Sequence, residues 1–262
     1  MRGQGPRGAT TPLEPILPDG RTEIIVHRAE PFAELGTDGR LRRQEPLLVT
    51  GQGTRPVLLQ PSTEVRVLGV RLLPGAAARF LRPPLHELTD RIMPMREVAL
   101  GAFTRGFEEC AVRVASDADA VASVVAHLRT VFEPRRATPV DLATRLVAEG
   151  IMSVEALARA VERSTRQVER LFLDEVGVSP GMLIRIRRFA RAVAALNGGE
   201  GHGVGLALDF GYYDQSHMIR EVRRFSDVTP GQLASRLVGL TGVFASPGPM
   251  SDSSNPSGAD CA

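Results

Sequence analysis

LALDFGYYDQSHMIREVRRFSDVTPGQ, residues 206–232, is the stretch on which the reading of the whole chain turns. Residues 206–210 form a short apolar helix signal that breaks at Gly211. After Tyr212 and Tyr213, the carboxylate of Asp214 is placed to accept from the first free amides of a second helix. That helix carries Met218, Ile219, Val222 and Phe225 at helical spacing. Gln215, Ser216, His217, Arg220, Arg223 and Arg224 fill its other face. A helix, a tight turn containing glycine and a second helix with outward polar residues is the pattern of a DNA-binding helix-turn-helix. It is also the pattern of any solvated amphipathic helix, so the upstream sequence has to decide.

Upstream the pattern occurs a second time. Residues 154–174, VEALARAVERSTRQVERLFLD, and 204–224, VGLALDFGYYDQSHMIREVRR, share one layout. Each has an apolar helix with a central alanine (Ala158, Ala207), a turn, a capping residue and a helix with outward arginines. The first copy ends in Gly177-Val178-Ser179-Pro180 and the second in Asp227-Val228-Thr229-Pro230. In both, the hydroxyl residue caps the next helix and proline takes its first position, where no amide is needed. Around the first copy the spacing predicts helices over 139–149, closed by Gly150, from a Ser153 cap with Glu155 in the first turn, and over 165–175 from a Ser164 cap. Val168, Leu171 and Phe172 face inward in the last of these. A longer helix, 180–196, ends at Asn197-Gly198-Gly199, and 198–203 reads as a flexible loop.

From about 138 to 237 the chain resembles the DNA-binding domain of the AraC/XylS transcriptional regulators. The match is carried by Ala156-Leu157-Ala158, Ser164, Arg170-Leu171-Phe172, Gly177-Val178-Ser179-Pro180, Arg187-Arg188, Ala190-Arg191-Ala192, Ala207, Phe210-Gly211-Tyr212, Asp214-Gln215-Ser216, Phe225 and Val228-Thr229-Pro230. The resemblance implies two helix-turn-helix units joined by the helix 180–196, which spans about 25 Å at 1.5 Å per residue. It also implies recognition helices about one DNA turn, roughly 34 Å, apart on one face of the duplex. In the first unit it points to Arg166, Glu169 and Arg170, with Gln167 exposed beside them, as the DNA-facing set. In the second it points to Gln215, Ser216, Ile219 and Arg220, with His217 and Arg224 on phosphates. Arginine suits guanine, Glu169 cytosine, Gln215 adenine, and Ile219 a thymine methyl. Met218 and Val222 stand where the family more often has Phe, so looser packing is expected in the second unit.

The first half reads differently. Strands are expected over 22–27, 46–50, 56–59 and 64–72, the middle two joined as a hairpin across Gly51-Gln52-Gly53. Short helices follow over 75–81 and 86–92, interrupted by Pro83-Pro84, then amphipathic helices over 103–115 and 118–132. The fold class is therefore α+β in two domains. Residues 12–133 form a β-rich domain with helices at 75–132, and 138–237 the all-α DNA-binding domain. Residues 1–11 and 241–262 are expected to be disordered, and 133–136 is the linker. The run PDGRTEIIVH, with ARFLRPPLHELTDR, resembles cupin-like sensory domains, which implies ligand binding or dimerisation, the latter through 103–132.

Composition bounds the alternatives. All 32 basic residues are arginine and the net charge is +2, so any electrostatic case for DNA rests on where the arginines lie. No run of about 18 apolar residues is present, and the first residues lack a signal-peptide core, so no membrane partner and a cytoplasmic location are expected. Two cysteines, Cys110 and Cys261, do not make a disulfide framework. His27 alone lies on an expected strand, with His86 and His127 on helices, which is a poor ligand set for a metal-dependent cupin enzyme. Cys110, on an apolar helix, does not supply the cysteine chemistry of DNA alkyl transfer. No GxSxG, Walker A or strand-to-helix GxGxxG sequence occurs. The expectation is a non-enzyme without cofactors, binding double-stranded DNA, with a small-molecule effector and a homodimer as further partners. A cupin-like binding protein or metal-dependent enzyme is the alternative, and an interaction module that has lost DNA binding a third.

Overall fold

The computed structural model describes residues 11–132, 136–151, 153–197 and 210–234. Its first part is two antiparallel four-stranded sheets, ordered β1-β6-β3-β4 and β7-β2-β5-β8. The strands are β1 (Glu14–Ile16), β2 (Thr22–His27), β3 (Ala33–Leu35), β4 (Leu41–Arg43), β5 (Leu47–Thr50), β6 (Val57–Gln60), β7 (Val67–Leu72) and β8 (Ile92–Pro94). β2 is buried along its whole length because it lies between β5 and β7 in the middle of its sheet.

The expected hairpin across Gly51–Gly53 does not form. β5 pairs with β2 and β8, whereas β6 joins β1 and β3 in the other sheet. The glycines serve a crossing between sheets. The Gly51 amide donates to the Arg91 carbonyl, and a Cβ on Gly51 would lie 1.9 Å from the Leu88 carbonyl oxygen. The expected helix 86–92 is also shorter. A 3-10 turn over Leu85–Leu88 stops before Asp90, which is left-handed at φ 56°, and the chain then enters β8. The preceding helix shrinks to a 3-10 turn at Ala77–Arg79.

Helices α1 (Met95–Val98) and α2 (Gly101–Phe107) follow, and a π-helical turn, Glu108–Val112, ends the expected helix before 115. α3 (Asp117–Val131) is capped by Ser116. Phe103, Phe107 and Val124 bury against Ile24, Val26 and Val49 of the second sheet, and Cys110 packs at the edge of this core. Arg28, just past the end of β2, and Arg66 both reach Asp117, at 2.6 Å and 2.8 Å, and tie α3 down. Strands 64–72 and 46–50 of the expectation start later, at Val67 and Leu47. Three-residue strands β1, β3, β4 and β8 are additions to it.

The helical part comprises α4 (Pro139–Ala148), α5 (Val154–Ala160), α6 (Thr165–Glu175), α7 (Pro180–Asn197), α8 (Gln215–Ser226) and α9 (Pro230–Ala234). The expected helix start over 206–209 and the linker residues 133–135 lie outside the described residues. α7 belongs to two cores. Leu183 and Ile184 join Val140, Leu157, Val168 and Phe172, whereas Ile186, Phe189 and Val193 join Met218, Val222 and Phe225.

The β-rich part docks on the helices at two places. The 3-10 turn at Leu85–Leu88 abuts the end of α6, where Thr89 Oγ1 donates to the Gly177 carbonyl. Gly177 has φ 98°, and its Cβ would sit 3.0 Å from the Leu85 carbonyl oxygen, so both conformation and space require glycine there. The Asp19-Gly20 turn rests on α7, with Leu17 packed on the second helical core and Arg187 Nη1 3.5 Å from the Asp19 carbonyl oxygen. Behind that turn, burial outweighs the Arg71 and Arg21 charges and raises the Asp19 carboxyl. Burial and the Asp19 charge push Glu23 up to about 7. A folded carboxyl with a raised pKa keeps a proton that the unfolded chain has released. Stability contributed here is therefore present at low pH and is lost as pH rises from about 4.5 to about 7. Glu23→Gln is expected to flatten that decline in urea unfolding measured across this pH range. An unchanged slope would contradict the assignment.

Candidate DNA-recognition surface

Helices α6 and α8 each begin with a cap that the sequence dictates. Ser164 Oγ accepts from the Gln167 amide at 3.3 Å, and Gln167 Oε1 accepts in return from the Ser164 amide at 2.9 Å. This capping box settles two free donors at the start of α6. Asp214 Oδ1 accepts from the His217 amide at 2.6 Å and so fixes the start of α8. Ser153 caps α5 in the same way, its Oγ accepting from the Ala156 amide. Asp227 ends α8 in the left-handed conformation at φ 59°.

On α6, Val168 and Phe172 are buried and Leu171 half-buried, which leaves Arg166, Gln167, Glu169 and Arg170 on the open face. Gln167 is exposed, but its side chain is engaged in the cap. On α8, Gln215, Ser216, Arg220 and Arg224 are exposed and Ile219 is half-buried. His217 is half-buried and turned toward the turn before the helix. Its Nδ1 accepts from the Tyr213 amide at 3.3 Å, and its ring meets Tyr212 edge-on at 5.5 Å. Met218 and Val222 are buried, at 4% and 0% exposure, so the replacements for Phe still close the core.

Two features of this surface were not expected from the sequence. Tyr213, directly before the cap of α8, is 87% exposed, a large aromatic beside the recognition helix. Glu221, on the inner side of α8, is buried between two arginines of α7. Arg185 Nε donates to Glu221 Oε1 at 2.6 Å, and Arg188 Nε donates to Oε2 at 2.9 Å. Arg188 also reaches the Gly211 carbonyl oxygen at 3.1 Å and lies over the Tyr212 ring at 4.8 Å. Burial and the Glu221 charge push the Tyr212 hydroxyl pKa upward, so it stays protonated.

His27, the histidine expected on a strand, is 4% exposed. Its Nε2 sits 3.1 Å from Gln44 Oε1, and its ring lies edge-on to Phe32. Burial lowers its pKa. Among the described residues no three His, Cys, Asp or Glu side chains are grouped to hold a metal ion. Also among them, no helix is long and apolar enough to cross a membrane.

Residues 157–236 match the family model described as a helix-turn-helix domain, and residues 4–94 match one described as a domain of unknown function (DUF6597). The chain thus carries a helix-turn-helix domain C-terminal to a β-rich region. Among solved structures, the chain is similar to ToxT from Vibrio cholerae at 10% identity, covering 87% of this chain and 94% of that one with a TM-score of 0.47. ToxT from Vibrio cholerae O395 matches at 12% identity over 88% and 96%, with a TM-score of 0.48. The C-terminal domain of AraT, a response regulator from Geobacillus stearothermophilus, matches at 21% identity over 39% of this chain and 88% of that one, with a TM-score of 0.37. No curated protein matches the chain.

The caps carry a direct prediction. Ser164→Ala and Asp214→Ala are each expected to lower stability by about 0.5–2 kcal/mol, since each leaves helix-start amides without an acceptor. Thermal unfolding of the single variants measures this; melting temperatures equal to wild type would show that the caps contribute nothing.

Proposed function

We propose that the protein is a sequence-specific transcription regulator whose two recognition helices read successive major-groove segments of one duplex. The supporting observation is that α6 and α8, held on the shared helix α7, each present a polar face free of packing. In this reading Arg166, Glu169 and Arg170, with Gln167 beside them, face bases from α6. Gln215, Ser216, Ile219 and Arg220 do so from α8, while Arg224 and His217 contact phosphates, which position without specifying sequence. The bond between His217 Nδ1 and the Tyr213 amide leaves its phosphate role to the rest of the ring. The DNA-binding domain is taken as 138–237 and the regulatory domain as 12–133.

The β-rich domain is the modulating part. Between its sheets lies a 90 Å³ cavity with Glu23, His27 and Arg71 at its polar places and Ile25, Phe32 and Leu59 on its apolar wall. At 90 Å³ it is far below the roughly 300–1,000 Å³ of drug-sized sites, so the effector it fits is one of only a few non-hydrogen atoms. Val121 and Val125 of α3 are 51% and 42% exposed and support a contact between two copies through 103–132.

Selection of bound duplexes from a random pool tests the reading. Two conserved blocks about one helical turn apart are expected, and equally tight binding to random duplex at physiological salt would refute it. Arg220→Ala is expected to cost about 1–3 kcal/mol at the selected site and to relax one position in the second block. A loss spread evenly over all sequences would instead assign Arg220 to phosphate.

A further inference from the structure

We propose that Glu221 is the positioning residue of the second reading unit, fixing the angle of α8 on α7 through a buried two-arginine clamp. This rests on the two-segment reading given above.

The repeat shows why the residue is unusual. From the capping residues onward the two copies keep an offset of 50 residues, with Ser164, Val178 and Pro180 answering Asp214, Val228 and Pro230. At that offset Arg170 answers Arg220, and Leu171 answers Glu221. In the first unit the position is apolar, and Leu171 packs against the core that holds Val168 and Phe172. Packing alone therefore suffices to attach a recognition helix at this place. In the second unit a carboxylate takes the position with 1% of its side chain exposed, and it meets the Arg185 and Arg188 side chains, which are 35% and 12% exposed.

Burying such a group is costly unless it is paired and hydrogen-bonded, and a buried ion pair gives less stability than a well-packed apolar contact. Its distinctive property is direction. A single apolar contact at this position has no preferred bonding direction, whereas the Glu221 carboxylate receives Arg188 in a two-pronged contact, Nε to Oε2 at 2.9 Å and Nη2 to Oε1 at 3.1 Å. The remaining prong of the same guanidinium, Nη1, holds the carbonyl of Gly211 in the turn that leads into α8. One planar side chain of α7 thus fixes both the recognition helix and the turn before it. The adjacent residue is Arg220, the proposed base reader, so rotation of α8 about its axis would move that guanidinium off its base.

The clamp also keeps two cations from the phosphates. With glutamine in place of Glu221, Arg185 and Arg188 are released to bind any phosphate, which favours non-specific binding.

Random-pool selection with wild type, Glu221→Gln and the paired variant R188M/E221L tests this. The Gln variant keeps size and some hydrogen bonding; the paired variant replaces the clamp with an apolar seam of the kind used by the first unit. For both, we expect base preference in the second block to fall at least tenfold while preference in the first block stays within about twofold. Non-specific affinity of Glu221→Gln is expected to equal or exceed that of wild type. A folded variant that keeps wild-type preference in the second block overturns the proposal. So does a loss shared equally by both blocks, which is what simple destabilisation gives. The wild-type arm separately tests the two-segment reading, since a single block there refutes that reading whatever the variants do.

Discussion

The structure depends on one helix serving two cores. The early turns of α7 deliver Leu183 and Ile184 to the first helical cluster, and its later turns deliver Ile186, Phe189 and Val193 to the second. Met182 touches both clusters. Because interiors pack to near-crystal density, neither unit is free to shift along this helix without opening voids in its own core. The distance between α6 and α8 is then a property of a single rod.

The same helix is where the β-rich part attaches. Arg187 points to the Asp19-Gly20 turn, and its neighbour Arg188 holds Glu221 and the Gly211 carbonyl. Adjacent residues on α7 therefore face two different neighbours, one the β-rich half and one α8 with the turn before it. The second attachment, at Thr89 and Gly177, lies at the end of α6, beyond the first recognition face. Both contacts leave the polar faces of α6 and α8 open, so docking of the two halves is compatible with the proposed DNA surface.

Features governed by neighbours in sequence were legible, and those governed by distant partners were not. Ser164, Asp214 and Ser153 cap helices as expected because a cap bonds only two or three residues ahead. The bounds of α6 match the expectation, residue 165 to residue 175, since a cap and an apolar stripe both mark them. The Gly51-Gln52-Gly53 turn misled because glycines allow a hairpin and a crossing equally well. What decides between them is the Leu88 backbone, which lies against Gly51 only after the fold has closed. The three-residue strands carry too few positions for an alternating pattern to show. Glu221 escaped notice on an amphipathic helix because its partners lie 33 and 36 residues away. Its one local signal was a charge at the place where the first copy has Leu171.

The central claim is that α7 holds two reading units at a fixed spacing. Binding to duplexes carrying both selected blocks, with about half a helical turn inserted between them, measures this directly. The account predicts that affinity falls to that of a single block and returns only in part when a full turn is inserted. Equal affinity at every spacing would show that the two units move independently and would contradict it.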